Sequence, residues 1–479
     1  MVFDQLRRQI LLLTHQQPIA MKKTLLLLLL LLPIVSFAQK PQYATGCLVD
    51  DEAYSRIPVK ARQLTRSYTA LPARASLTPY CPTPGDQGIY QTCTSWAIAY
   101  AARTILEAEV NGTTDPETNA NEAFSPTFVY ALIKESYDQG CNTGTYIHKG
   151  LNLLKQRGVP KKKTYYEDCA TSIPSVAYTE AANFKIQDYF TLFTLNDNAA
   201  KRVEATKMAI SEGRPVIISM VCYESFQYAK ECWNGITNYN NGYHAMCVVG
   251  YDDEKYGGAF RIMNSWGTYW GDKGFTWITY KDYGIHVQYG YEMYLSKKKV
   301  HNETTFSGSL DIKLATGGTM PVTLNTENTS IYKVPKPYPS GTRYRVILSN
   351  NEPAYVYVLG SDMTERTELL FPPTPQVSPA LVYASNNIAI PDEKWYIETD
   401  NTVGTDYLCV LYSQTELPIN EIISSIASSN GPFVQRVNTV LGDMRVSDNE
   451  ISFGNSKISF SSSSKRTVVP IFVEIPHSK

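Results

Sequence analysis

Two periods of hydrophobic spacing divide the chain. In Cys93–Glu107, Ile98, Ala101, Ala102, Ile105 and Leu106 recur at helical intervals within an Ala-rich run. Spacing and end signals together predict helices over 93–109 ending at Gly112, 125–138 begun by Ser125-Pro126, 146–157 stopped by Gly158 and Pro160, and 198–212 ending at Gly213. Strands then dominate, at Val216–Val221, His244–Tyr251, Ala259–Asn264 and Gly274–Tyr280. Beyond residue 300 the helical spacing vanishes, and short alternating runs such as Tyr344–Leu348 and Ala354–Leu359 lie between Pro, Asn, Ser and Gly clusters. The expected layout is an α+β region over 78–300, a β-rich sandwich-like domain over 301–440, and a C-terminal β tail over 441–479 with a strand at Val468–Val473.

One apolar run fits neither period. Met21-Lys22-Lys23, the leucines from Leu25 to Leu32 and the stretch Pro33–Ala38 read as a charged n-region, an apolar h-region and a small-residue cleavage site. Residues 21–38 are therefore expected to be a signal peptide cut after Ala38, with 1–20 an extension from an upstream start codon and 39–77 a short linker or pro-segment. The run is short of a membrane span. The mature chain is expected without a stable span and exported, to the periplasm, the outer surface or the medium.

Composition narrows the partners. With 43% hydrophobic and 19% charged residues among 479, the chain has enough apolar side chains for two or three compact domains. A formal net charge of −1 leaves no electrostatic footprint for nucleic acid. Export opens the nine cysteines to disulfide formation. Cys222 and Cys232 flank one loop and form the first candidate pair, whereas Cys247 and Cys409 lie in apolar strands and read as buried thiols. Their scattered single spacing, with no Cys-x-x-Cys, argues against a structural zinc.

Four polar side chains mark the ends of these elements. Gln87 stands six residues ahead of Cys93, in the turn-rich Pro82–Gly88, and His244 and Asn264 follow in order. Cys93 opens the first helix, where unpaired backbone N–H groups favour an anion, and a thiolate is the nucleophilic form of Cys. His244 heads a Val-rich strand next to the loop Asn240–Tyr243, and Asn264 ends the following strand, so adjacent strands can present an imidazole and the amide that orients it. The Gln87 amide can donate to an oxyanion. A lone Cys ahead of a helix is otherwise a small buried hydrophobe or half of a disulfide; the ordered set decides for catalysis.

Gln-Gly-x-x-x-x-Cys, a His opening a Val-rich strand, and Asn264-Ser265-Trp266-Gly267 extended to Trp270-Gly271 resemble the papain-like cysteine peptidases over roughly 78–300. Further matches are Phe124-Ser125-Pro126, Gly140-Cys141-Asn142-Thr143-Gly144 and Gly271-Asp272-Lys273-Gly274-Phe275. The resemblance implies a papain-like two-lobe fold, a helical lobe facing a β-barrel-like lobe with the cleft between. It implies Cys93 as nucleophile, His244 as general acid/base, Asn264 as its orienter, Gln87 as oxyanion donor and Trp266 as a shield over the His–Asn bond. It also places Asn142, Thr143 and Gly144 in the substrate cleft and implies a Cys81–Cys141 disulfide. The chain departs from the family in placing Thr94 and Ser95 between Cys93 and Trp96, in reading Thr143-Gly144 for paired glycines, and in lacking a long helical propeptide. A register taken from Trp96 would make Ser95 the nucleophile; the Gln-to-Cys spacing selects Cys93.

The stretch from Tyr344 to Leu408 resembles an uncharacterised β-domain appended to secreted bacterial enzymes, with no His/Asp/Glu cluster evident in it and a protein or cell-surface partner as its default expectation. The function expected is an exported endopeptidase that cleaves polypeptides through a thiolate–imidazolium pair and a thioester, using no cofactor or metal. The competing readings are an inactive peptidase-like binding module and a cell-wall amidase with the same Cys–His chemistry.

Overall fold

The computed structural model describes residues 43–61, 71–169, 172–295, 305–325, 331–382, 388–392, 395–455 and 457–479. The signal-peptide reading, the 1–20 extension and the junction at 300 lie outside the described residues.

Strand β1 (Cys47–Leu48) and helix α1 (Asp51–Arg56) come first, the helix capped by the Asp50 side chain accepting from the Ala53 N–H at 2.8 Å. Helix α2 runs on from Cys93 through three windings, Cys93–Ser95, Trp96–Arg103 and Thr104–Asn111, the middle one a π-helix. Gly112 ends it in the left-handed region that glycine tolerates, at φ 66. Helix α3 (Pro126–Ile133) starts at Ser125, whose hydroxyl accepts from the Phe128 N–H, as its Ser-Pro signal predicts. It is shorter than the expected 125–138, because the chain turns at Lys134 and sets the Asp138 carboxylate against the Asn142 N–H and the Thr143 hydroxyl. Strand β2 (Thr145–Tyr146), helix α4 (Ile147–Gln156) and helix α5 (Ala199–Ser211, capped by Asn198) follow.

The strands of this half share one sheet. β3 (Val216–Tyr223) pairs antiparallel with β4 (Asn240–Asp252) and with β7 (Val287–Tyr294); β5 (Ala259–Met263) adds to β4, and β6 (Phe275–Thr279) to β5. β4 begins at Asn240, so His244 lies inside the strand rather than opening it. The Asn240–Tyr243 stretch expected as a loop is held in register, Tyr243 opposite Val221 and Asn240 opposite Tyr223. α2 packs against β4, placing the helical and strand elements in contact across the cleft. The papain-like helical-plus-sheet arrangement is present, followed by all-β sheets.

Those sheets form a sandwich. β8 (Phe306–Leu314) and β9 (Arg343–Asn350) pair in one, with β12 (Ile458–Ser462); β10 (Ala354–Ser361), β11 (Gly404–Ser413) and β13 (Val468–Ser478) pair in the other. Leu310, Ile312, Val346 and Leu348 meet Val356, Val358, Val410 and Ile471 between them. β9 alternates buried and partly exposed positions, as a sheet with one wet face does. β10 is buried along nearly its whole length, because its outer face, with Tyr355, Tyr357 and Leu359, joins the hydrophobic cluster that also holds α2, β3 and β4. Tyr294 and Tyr355 touch hydroxyl to hydroxyl at 3.2 Å.

Two expectations fail here. Residues 441–479 are no tail: β13 lies within its sheet, paired along its length with β11 and on the other side with Ile331–Lys333. Nor is 301–440 free of helix, since α6 (Ile419–Ser428) and α7 (Phe433–Leu441) pack on each other and bury Ile422, Ile426, Phe433 and Val437 in the shared cluster. The signal was legible: Ile419, Ile422, Ile423 and Ile426 are spaced one, four, five and eight along a helical face.

Candidate active site

Cys93 occupies the first position of α2 and is fully buried. The Ala245 N–H points at its sulfur at 3.5 Å. Burial pushes the thiol up to about 11, and N–H groups of Ala245, Gly46 and Thr94 with the Thr94 hydroxyl only partly offset it. Ser95, the alternative nucleophile, is buried with a hydroxyl that finds no hydrogen-bond partner among the described residues.

His244, also fully buried, bonds through Nε2 to Asn264 Oδ1 at 2.7 Å. The same Oδ1 accepts from the Ser265 N–H at 2.8 Å, which fixes it as the amide oxygen. Nε2 must then carry the ring hydrogen, and Nδ1 presents a lone pair that has no partner among the described residues. Burial pulls the imidazole down to about 4, against the favourable Asn264 bond. Trp266 stacks on the ring at 4.4 Å and 23°. Asn264 is held just beyond β5 by its own N–H to Gly274 O.

The Gln87 backbone joins this turn, its N–H donating to Ser265 O at 2.9 Å. Its side chain is fixed at both ends. Oε1 accepts from the Ser265 hydroxyl at 2.6 Å, while Nε2 donates to Tyr90 O at 2.7 Å and to Ala44 O at 3.2 Å. Sequence reasoning therefore brought together Gln87, Cys93, His244, Asn264 and Trp266. In this closed arrangement burial penalises both charges of the expected thiolate–imidazolium pair.

What buries them is residues 43–48, a strap within the stretch expected as a short linker or pro-segment. Tyr43 stacks on Trp266 at 4.8 Å and 11°, on a ring that also faces His244. The Ala44 carbonyl accepts from both Gln87 Nε2 and Trp266 Nε1, the latter at 3.0 Å. β1 then pairs with β2 and, at Tyr243, with β4, with Thr145 N–H donating to Gly46 O at 2.8 Å. Gly144 lines this crossing: at φ 72, a Cβ there would stand 2.6 Å from Gly46 O. Of the other expected cleft residues, Thr143 bonds Asp138 through its hydroxyl and Asn142 through its N–H, and Asn142 is exposed. Further along, Val59 is threaded between Thr191 and Val377, and Lys60 reaches the buried Glu292 at 3.3 Å.

Both disulfide expectations are corrected. Cys141 is bonded to Cys169, not Cys81, with Cα atoms 5.5 Å apart. Cys81 is buried against Leu77 O, while the turn after α3 carries Cys141 to the 169 loop. Cys222 and Cys232 are both free thiols: Cys222 is a buried, inward position of β3, whereas Cys232 is partly exposed and held by a bridge to Trp277. Cys247 and Cys409 are buried free thiols, as expected. Among the described residues the grouped His, Asp and Glu side chains that suit a metal lie elsewhere, at Asp400, Asp406 and His477 in the β-rich unit.

Residues 86–295 match the family described as papain family cysteine protease, and residues 337–416 match a domain of unknown function, DUF4384. An uncharacterized peptidase C1-like protein of Acanthamoeba polyphaga mimivirus is 30% identical over 211 residues, 41% of this chain and 64% of that protein. Cathepsin K of Mus musculus is 26% identical over 193 residues, 40% of this chain and 54% of its own length. Peptidase 1 of Dermatophagoides pteronyssinus is 28% identical over 151 residues, 30% and 44% of the two chains. The chain thus spans less than two thirds of each of these relatives. Xylellain, a cysteine protease from Xylella fastidiosa, superposes with a TM-score of 0.44 at 23% identity, covering 53% of this chain and 97% of that structure. The chain carries a papain-family domain followed by a DUF4384 domain.

Proposed function

We propose that this chain is an exported cysteine endopeptidase that cleaves peptide bonds through a thioester acyl-enzyme. The observation that carries the reading is the fixed tautomer of His244: Asn264 holds Nε2–H and leaves the Nδ1 lone pair without a partner among the described residues, while the next residue of the strand, Ala245, points its N–H at the Cys93 sulfur. With the strap out, the Cys93 proton rests on Nδ1, the Cys93 thiolate attacks the scissile carbonyl carbon, and the carbonyl pair moves onto oxygen. The Cys93 N–H and Gln87 Nε2 take up that charge. Collapse expels the amine, which leaves with the Nδ1 proton, and water then hydrolyses the thioester with His244 as base. Thiol and imidazole supply the nucleophile and the proton relay between them. Export is supported by the charged, apolar and small-residue order of 21–38.

The state described is a closed one. The Ala44 carbonyl takes the Gln87 donor that the oxyanion would need, so the strap must leave before a substrate enters. A peptidyl electrophile applied to the full chain and to a chain opened by limited proteolysis between 49 and 73, followed by mass spectrometry of the adduct, tests the reading. The expected adduct is on Cys93, faster after opening; an adduct on any other residue overturns the assignment.

A further inference from the structure

A second buried imidazole lies in the β-rich unit. His477, near the end of β13, has a side chain with no solvent exposure, and its Nε2 lies 3.2 Å from Asp406 Oδ1 and 3.6 Å from Asp400 Oδ1. Asp406 is on β11 and Asp400 in the turn before it, so the three residues meet at one end of the sheet's longest pairing, where Gly404 lies opposite His477. The other ring nitrogen, Nδ1, lies 2.9 Å from the Ser340 hydroxyl, whose residue is itself anchored by its N–H to Ser478 O.

The Asp406 contact is that of a hydrogen bond and the Asp400 contact is longer, and both separations also come close to those of ligands about one ion. An imidazole–carboxylate hydrogen bond closes to about 2.7–3.2 Å, and the Asp400 oxygen stands beyond that range at 3.6 Å. Ligands bound at about 2.0–2.2 Å in a tetrahedron stand about 3.3–3.6 Å apart. One ligand atom from each of the three residues lies within 4.8 Å of the other two. The Asp400 turn is held by the Thr402 N–H on Oδ1. Without an ion Nε2–H donates to Asp406 and Nδ1 accepts from the Ser340 hydroxyl; with an ion bound the ring takes the other tautomer, Nδ1–H donating to Ser340 and the Nε2 lone pair turned to the ion beside the two carboxylate oxygens. A Ser hydroxyl on the far nitrogen is the kind of outer partner that sets the tautomer of a ligating His.

We propose that Asp400, Asp406 and His477 form a binding site for a divalent transition cation of the zinc type, which closes the end of the sandwich by tying β13 to β11. One imidazole with two carboxylates suits such an ion better than calcium, which takes six to eight oxygens. Both carboxylates are partly exposed, so water completes the shell and the ion enters from solvent.

The test uses the full chain carrying Cys93→Ala, so that the catalytic thiol holds no metal. The protein is stripped with chelator, equilibrated with Zn²⁺ or Ca²⁺, and passed through gel filtration, and bound metal and the thermal midpoint are measured. One zinc per chain and a raised midpoint are expected with Zn²⁺ and not with Ca²⁺. His477→Gln and Asp406→Asn should lose that zinc. Asp400→Asn, on the partly exposed turn and the least disturbing to the fold, should weaken zinc by about 10–100-fold. Zinc retained equally by the His477 and Asp400 variants overturns the site. So does a parent chain that keeps no zinc and gains stability only on acidification, the behaviour of an imidazolium paired with carboxylates.

Discussion

His244 and His477 are both buried in long strands, and each spends one ring nitrogen on a neutral oxygen: Asn264 for the first, Ser340 for the second. They differ in what the other nitrogen meets. Around His244 that nitrogen has no partner among the described residues, and burial drives the ring to its neutral form, down to about 4. Around His477 it faces two carboxylates open to solvent. A neutral surround leaves the imidazole free to take a proton from a nucleophile and return it. Two carboxylates beside the other ring nitrogen favour a cation there, which is the role proposed for His477.

The hardest test of the catalytic half is removal of the nucleophile. Cys93→Ala should abolish peptidase activity in an opened chain with the fold intact, while Ser95→Ala keeps most of it, as measured with a fluorogenic peptide; the reverse pattern would move the nucleophile. Gln87→Ala should come next, lowering kcat by about 10²–10³ with less effect on KM. Because Oε1 of Gln87 also holds Ser265, Gln87→Glu is the informative companion. It keeps the acceptor and loses the donor, so it should be about as slow as the alanine variant.

A smaller effect, opposite in sign, should follow from loosening the strap. A Cβ on Gly46 would stand 2.2 Å from Gln91 O, which is backbone and cannot swing aside. Gly46→Ala should therefore raise the turnover of the uncut chain, by about tenfold if the closed state dominates as its contacts suggest. The pH response should change with it. In the closed chain the thiol at about 11 and the imidazole at about 4 leave both groups neutral between those values, so alkylation of Cys93 should climb steadily as rising pH forms thiolate. Once the strap is out, water and the α2 N-terminus can stabilise the ion pair, and activity should follow a bell whose acidic limb is loss of thiolate and whose basic limb is loss of the imidazolium proton. Equal alkylation rates at neutral and alkaline pH in the uncut chain would mean that the strap does not govern the thiol.

The contrast between the two histidines is also one of legibility. Gln87, Cys93, His244 and Asn264 could be read from order and spacing, because each sits at an element end whose signals are local: a helix start, a Val-rich strand, a glycine-shaped turn. The strap could not be read, because Tyr43–Leu48 gains its conformation from partners far along the chain, at Gln87, Thr145, Tyr243 and Trp266. The Cys141–Cys169 bond failed for a related reason: the choice among cysteines depended on where the turn after α3 delivers Cys141. His477 is the extreme case, since its carboxylates lie some seventy residues upstream and meet it only through the β11–β13 register, with Gly404 opposite His477. That β13 lies inside a sheet at all was hidden by its place at the end of the chain.

Removing the neutral partner of each imidazole gives the finest comparison. Asn264→Ala strips an oxygen that takes two hydrogen bonds, one from Nε2–H and one from the Ser265 N–H, in a fully buried setting. Both donors are left without that acceptor, so stability should fall by about 1–3 kcal/mol and activity should fall with it as the ring loses its tautomer. Ser340 is half-exposed, and water can replace its hydroxyl. Ser340→Ala should therefore cost only about 1 kcal/mol, read as a small drop in the thermal midpoint of the zinc-loaded chain, with zinc held more weakly because Nδ1 no longer fixes which nitrogen faces the carboxylates. A Ser340→Ala chain that binds zinc as tightly as its parent would show that the register of β13 alone orients His477, and that the resemblance between the two imidazoles ends at their burial.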